Sequence, residues 1–185
     1  MKKELKELIQ KDLSRVYDGP LTIKQRLFLP PQIKYIILWR KASFYQNGNP
    51  IAKAYYSLKL LKLSERTGLQ IPTQTTIGEG LYIGHHGRII MNPDETIGNN
   101  VNLATGITIG QCNRGAKKGV PTIGNRVWIG TNAVIVGKIT IGDDVLIAPG
   151  AYVNQDVPSH SIVIGNPAVI HPAEHATKDY INRPL

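Results

Sequence analysis

From Ile71 to Pro158 one six-residue phrase recurs: an aliphatic residue, then a small one, then a second small or aliphatic residue at the fifth place. Clear copies are Ile77-Gly78-Glu79-Gly80-Leu81-Tyr82, Ile97-Gly98-Asn99-Asn100-Val101-Asn102, Ile129-Gly130-Thr131-Asn132-Ala133-Val134 and Ile141-Gly142-Asp143-Asp144-Val145-Leu146. A short fixed period demands a solenoid, whose units bury an apolar face only against their neighbours. Each phrase is read as a short strand and a bend. The aliphatic leader points inward, and the small second residue lets the chain turn where a side chain would clash. Three phrases then make one triangular coil, and stacked coils pair along parallel sheets. Handedness does not follow from the repeat, because parallel crossovers are right-handed by default.

Leaders stand at 71, 77 and 83, at 91, 97, 103 and 109, and at 123, 129, 135, 141, 147 and 153. Two slips break the count, one of two residues between Ile83 and Met91 and one of eight between Ile109 and Ile123. Solenoids expel such insertions as surface loops, often on a binding face.

Charge divides the chain. Residues 1–70 carry fourteen Lys/Arg and five Asp/Glu, a net +9, whereas residues 71–185 carry eight of each and none net. The basic part reads as helices over Lys3–Val16, from about Gln32 to the turn Asn47-Gly48-Asn49-Pro50, and from Ile51 to Thr67-Gly68. Its two readings are a helical cap with a solvated basic face, and a surface attracted to an anionic membrane or a phosphate-bearing carrier. Nucleic acid is disfavoured because no binding motif accompanies the charge. The single cysteine, Cys112, excludes an intramolecular disulfide and fits a reducing compartment. No apolar stretch follows the opening Met1-Lys2-Lys3-Glu4 in the manner of a signal peptide, so the expected location is cytoplasmic, with peripheral attachment at the inner membrane face as the extension. The organisation expected is a helical segment over 1–70, a repeat domain over 71–170 with an excursion at 110–122, and a tail over 171–185.

Of five histidines, only His85 and His86 lie within the repeat, beside the first slip, where a corner would expose them to a ligand. His160, His171 and His175 read as structural or solvent-exposed. The excursion from Gln111 to Pro121 offers two glycines and three cations, suited to phosphate or to a neighbouring chain, or simply to solvent. Cys112 as a thiol nucleophile is the weaker idea, since nothing in the sequence suggests an activated thiol.

The run from Ile71 to Ile170 resembles the hexapeptide-repeat acyltransferases with a left-handed parallel β-helix, in the branch that holds serine and polysaccharide O-acetyltransferases. The likeness rests on Ile77-Gly78-Glu79-Gly80, Gly84-His85, Ile89-Ile90-Met91-Asn92-Pro93, Val127-Trp128-Ile129-Gly130, Asp156-Val157-Pro158-Ser159-His160-Ser161 and Gly165-Asn166-Pro167-Ala168. The resemblance implies an all-β left-handed β-helix behind an N-terminal helical segment. It makes His85 the catalytic base, acetyl-CoA the co-substrate with no metal, and a homotrimer the active form. Gly110, Ala133 and Gly150 would admit the pantetheine arm, and Lys117, Lys118, Lys138 or Lys178 would meet the phosphates. In this chemistry a neutral imidazole accepts the acceptor hydroxyl's proton during attack on the thioester and returns one to the thiolate.

Departures from the branch bear on the acceptor. Serine acetyltransferases have an aspartate where this chain has Gln70, a histidine where it has Val120, and often a lysine where it has Val169. The aspartate would polarise the imidazole, whereas glutamine brings no charge. These differences lead to the expectation of O-acetylation of a sugar hydroxyl in surface or exopolysaccharide synthesis. Serine O-acetylation, N-acetylation of an amino sugar, a zinc-dependent β-helix carbonic anhydrase and a non-catalytic scaffold stand as alternatives.

Overall fold

The computed structural model describes residues 2–185; Met1, with which the opening basic stretch begins, lies outside them. Four helices come first: α1 (Lys3–Ser14), α2 (Ile23–Leu27), α3 (Pro31–Phe44) and α4 (Pro50–Thr67). Five coils follow. They carry β1 (Leu69–Gln70), β2 (Thr76–Ile77) and β3 (Tyr82–Ile83); β4 (Ile89–Ile90), β5 (Thr96–Ile97) and β6 (Asn102–Leu103); β7 (Thr108–Gly110), β8 (Thr122–Ile123) and β9 (Val127–Ile129); β10 (Val134–Val136), β11 (Thr140–Ile141) and β12 (Val145–Ile147); and β13 (Tyr152–Val153) with β14 (Ser161–Ile164). Three parallel sheets form the faces of the prism: β1-β4-β7-β10-β13, β2-β5-β8-β11 and β3-β6-β9-β12-β14. β15 (Val169–Pro172) closes the third sheet antiparallel to β14.

Register places the leaders in inward columns. Ile77, Ile97, Ile123 and Ile141 stack in the second sheet, and Ile83, Leu103, Ile129, Ile147 and Val163 in the third. All are buried, and each full burial contributes about 1.5–3 kcal/mol. The glycine at the second place is required by stacking: a Cβ on Gly98 would lie 2.5 Å from the Gly124 carbonyl oxygen of the next coil. Beside that column runs a polar ladder. The side chains of Asn99, Asn125, Asp143 and Ser159 accept from the backbone N–H of Glu79, Asn99, Asn125 and Asp143, so each coil satisfies the one before it.

The first coil has no coil before it, and the helices take that role. Tyr35, Trp39, Arg40 and Ser43 of α3 donate to the carbonyls of Ile71, Pro72, Ile77, Gly78 and Thr73. Asp12 of α1 accepts from the Leu81 N–H at 2.9 Å and from Arg40 Nε at 2.7 Å in a fully buried ion pair. Burial pushes the Asp12 carboxyl up, and Arg40 opposes that. The N-terminal part therefore caps the solenoid, but not through a uniformly solvated basic face, because Arg15 and Arg40 are buried structural groups. α2, which carries no long apolar period, forms on a capping box between Thr22 and Gln25.

Beyond β15 the chain turns back along the third sheet. Asp144 anchors it: its carboxylate accepts from the Ala176 and Thr177 N–H groups, the Thr177 hydroxyl and His160 Nδ1. Burial alone would raise this carboxyl, but the hydrogen bonds from Thr177, His160 and Ala176 outweigh it and hold the pKa below the ordinary value. His160 is thus structural.

Candidate functional site

His85 sits at the corner joining β3 to β4, the corner that the two-residue slip lengthens. Gly87 makes the longer corner possible, since its φ of 154° is open to glycine and a Cβ there would lie 2.9 Å from Thr105 Cγ2. His85 and His86 are both exposed, and His85 lines a cleft of about 530 Å³.

That cleft lies over the outer face of the third sheet. Tyr82, Asn102 and Trp128 form its floor, one from each of three successive strands in register. Arg15, at the end of α1, and Tyr180, Asn182 and Arg183 of the tail form its walls. The Tyr180 ring meets Trp128 edge-on at 5.0 Å. Arg15 ties the three parts together, donating to the carbonyls of Gly80 and Asn182 and to Asn102 Oδ1 at 2.7–2.9 Å. The cleft lining holds two arginines and no carboxylate.

The remaining expected site residues divide between two edges of the prism. Ala133 and Gly150 lie on the His85 edge, where each coil passes from the third sheet to the first. Gly110, Lys117, Lys118 and Lys138 lie on the next edge, across the first sheet, where the eight-residue insertion leaves β7. The insertion forms a small antiparallel loop closed by Cys112 and Gly119, with Arg114, Lys117 and Lys118 exposed. Lys117 and Lys138 are joined by a backbone bond of 2.9 Å. Gly110 and Gly150 open outward, since a Cβ on either would meet nothing within 4 Å. The Ala133 methyl is fully buried and faces the core, so this residue meets the surface only through its backbone. Lys178 belongs to the tail, beside Thr177. Gln70 is exposed on the outer face of the first sheet, below the His85 corner, and makes no side-chain hydrogen bond to His85. Among the described residues no group of three or more His, Cys, Asp or Glu side chains is placed to hold a metal.

A family profile for bacterial transferase hexapeptide repeats matches residues 121–155. The serine acetyltransferase of Helicobacter pylori (strain 26695) is 33% identical over 144 residues, spanning 77% of this chain and 82% of that protein. The chain belongs to the hexapeptide-repeat acyltransferases, in the serine acetyltransferase branch. Serine acetyltransferase 2 of Arabidopsis thaliana is 36% identical over 107 residues, 58% of this acyltransferase but only 33% of the plant protein. The crystal structure of the Neisseria gonorrhoeae serine acetyltransferase in complex with serine superposes with a TM-score of 0.74 at 28% identity, over 92% of this chain and 70% of that one. The solenoid is the left-handed parallel β-helix of that fold.

These relatives overturn the expectation of a sugar acceptor in surface polysaccharide synthesis: they are serine acetyltransferases throughout. The inference from Gln70 and Val120 gave too much weight to two side chains. A residue that polarises the base governs its strength, whereas acceptor choice rests on the walls of the cleft. Those walls hold the residues the repeat could not reveal. Tyr82, Asn102 and Trp128 stand at outward positions of their strands, so an aromatic and polar column among aliphatic phrases was their only signal. Arg15 and the tail residues had no local signal, because they meet the site across 65 to 167 residues of chain.

Proposed function

We propose that this chain is an acetyl-CoA-dependent serine O-acetyltransferase with His85 as general base. One juxtaposition carries the reading: in a chain of the serine acetyltransferase branch, an exposed imidazole shares a cleft with Arg15 and Arg183, whose partner Asp18 stands exposed outside the cleft lining, a setting that suits a small hydroxyl-bearing acceptor. His85 accepts the serine hydroxyl proton as the oxygen attacks the thioester carbonyl carbon. The tetrahedral intermediate collapses with cleavage of the C–S bond, and the imidazolium returns the proton to the departing thiolate. O-acetylserine and CoA leave, and the imidazole is neutral again.

The active form in this reading is a trimer. Gly110, Lys117, Lys118 and Lys138 cannot reach His85 around the first sheet of their own chain, but a neighbour packed on that sheet would bring one chain's His85 edge against the next chain's basic loop. Acetyl-CoA then lies between chains with its phosphates at the lysines. Serine is a soluble acceptor, so the reading gives the basic helices no membrane-bound glycan to serve, and no helix among the described residues is long and apolar enough to cross a bilayer.

CoA release by the purified protein, measured with acetyl-CoA and L-serine, tests the acceptor: turnover that depends on serine is expected, and its absence overturns the reading. His85→Ala should lower kcat by roughly 10²–10⁴ without loss of fold; retention of full activity would remove His85 from the chemistry. Replacing Lys117 and Lys118 with alanine should raise the KM for acetyl-CoA while the KM for serine stays unchanged.

A further inference from the structure

Two edges of the prism carry the residues of the proposed reaction, and the third edge carries a cavity of its own. At the corners that join the second sheet to the third, Arg126, Asp144 and His160 stand one above another on successive coils. The Asp144 N–H donates to the Asn125 carbonyl and the His160 N–H to the Asp143 carbonyl, each at 2.9 Å. The tail crosses this column at a turn in which the Lys178 N–H donates to the His175 carbonyl at 3.0 Å. Column and turn together enclose a space of about 570 Å³.

The lining of this space is basic. Arg126 and His160 reach it from the coils, His175 and Lys178 from the tail, and all of them are exposed. Asp144 is the one carboxylate there, and it is already satisfied: its side chain is 6% exposed and accepts from the Ala176 and Thr177 N–H groups, the Thr177 hydroxyl and His160 Nδ1. No ion pair among the described residues involves Arg126, His175 or Lys178. His160, with Nδ1 turned to Asp144, keeps Nε2 as a second bonding position.

This arrangement selects a class of ligand. A carboxylate offers two oxygens in one plane, which the Arg126 fork alone would match. Donors from two separate segments suit the pyramid of oxygens on a phosphoryl group, whose charge of about −1.5 to −2 at neutral pH balances Arg126 and Lys178 together. The space is larger than an inorganic ion requires, and Ile181 and Pro184 give it an apolar wall. The ligand it fits is therefore organic at one end.

We propose that this edge is a binding site for a small organic phosphate, separate from the acetyl-CoA and acceptor sites, with Arg126 and Lys178 holding the phosphoryl group and Ile181 and Pro184 its apolar end. In the proposed trimer the neighbours pack on the first sheet, opposite this edge, so the cavity stays open in that assembly.

Titration calorimetry with phenyl phosphate, inorganic phosphate and benzoate tests it, with and without saturating CoA. Phenyl phosphate should bind saturably, and inorganic phosphate and benzoate should each bind at least about fivefold more weakly. Arg126→Gln and Lys178→Gln should each weaken phenyl phosphate about tenfold. Replacing Lys117 and Lys118 with alanine should leave its affinity within about twofold, and CoA should not displace it. The two test residues lie on separate segments, so a folding defect in one variant, read from its thermal midpoint, leaves the other to decide. Absence of saturable binding up to about 10 mM overturns the proposal. So does equal affinity for benzoate, displacement by CoA, or a loss in the loop variant as large as that in Arg126→Gln.

Discussion

The first coil and the middle coils meet the same demand by different means. In the middle, each coil presents its backbone to another, and the Asn99–Asn125–Asp143–Ser159 ladder completes the match with short polar side chains. At the open end no coil is available, so the helical segment supplies long charged side chains, with Arg40 and Arg15 reaching the carbonyls that a further coil would have covered. The teaching is that a solenoid end is stabilised by buried charge and its interior by repetition, which makes the end sensitive to single polar changes and the interior to volume.

The largest expected effect falls at the end. Asp12→Ala leaves Arg40 buried without its partner and Leu81 N–H without an acceptor, and should cost about 3–5 kcal/mol, read as a lowered midpoint in chemical denaturation. In the interior, Ile123→Ala removes a fully buried leader between Ile97 and Ile141 and should cost about 3 kcal/mol by the same measurement. If the interior change proved the larger, the contrast between end and middle would be reversed.

A third change sharpens the contrast, because Glu95 breaks the interior rule. It stands at the fifth place of its phrase, where Ile139 stands in the register of a later coil. It is 1% exposed, and neither carboxylate oxygen has a hydrogen-bond partner. Burial pushes its pKa up to about 8. The folded value exceeds the unfolded one, so the stability from the neutral form is fully present below the ordinary carboxyl range and is lost as pH rises through about 8. Glu95→Gln should match the parent near pH 4 and exceed it by roughly 2–4 kcal/mol near pH 9, followed as melting temperature against pH. The smallest effect belongs to the ladder: Asn99→Ala frees only the Glu79 N–H at a half-exposed corner and should cost about 1 kcal/mol or less.

Much of this was legible in the chain because the β-helix is local. A leader every six residues places Ile77, Ile97, Ile123 and Ile141 in one column without any long-range guess, and the slips at 84–88 and 111–121 had to become corners or loops. His85 was legible for the same reason, as an exposed histidine at an interrupted corner. The acceptor was not: it was inferred from a missing charge at Gln70 and a missing histidine at Val120, and neither residue lines the cleft that holds His85.

The sequence by itself determined the solenoid, the helical cap and the exposed histidine, because each is written in spacing that neighbours in the chain enforce. Only the tertiary structure decided that the basic loop and His85 stand on different edges, that two N-terminal cations are buried in service of the first coil, and that the tail returns to set Arg183 in the cleft. The physical reason is distance along the chain: Arg15, Asn102 and Asn182 meet through hydrogen bonds whose partners no period relates, so their meeting exists only once the coils have stacked.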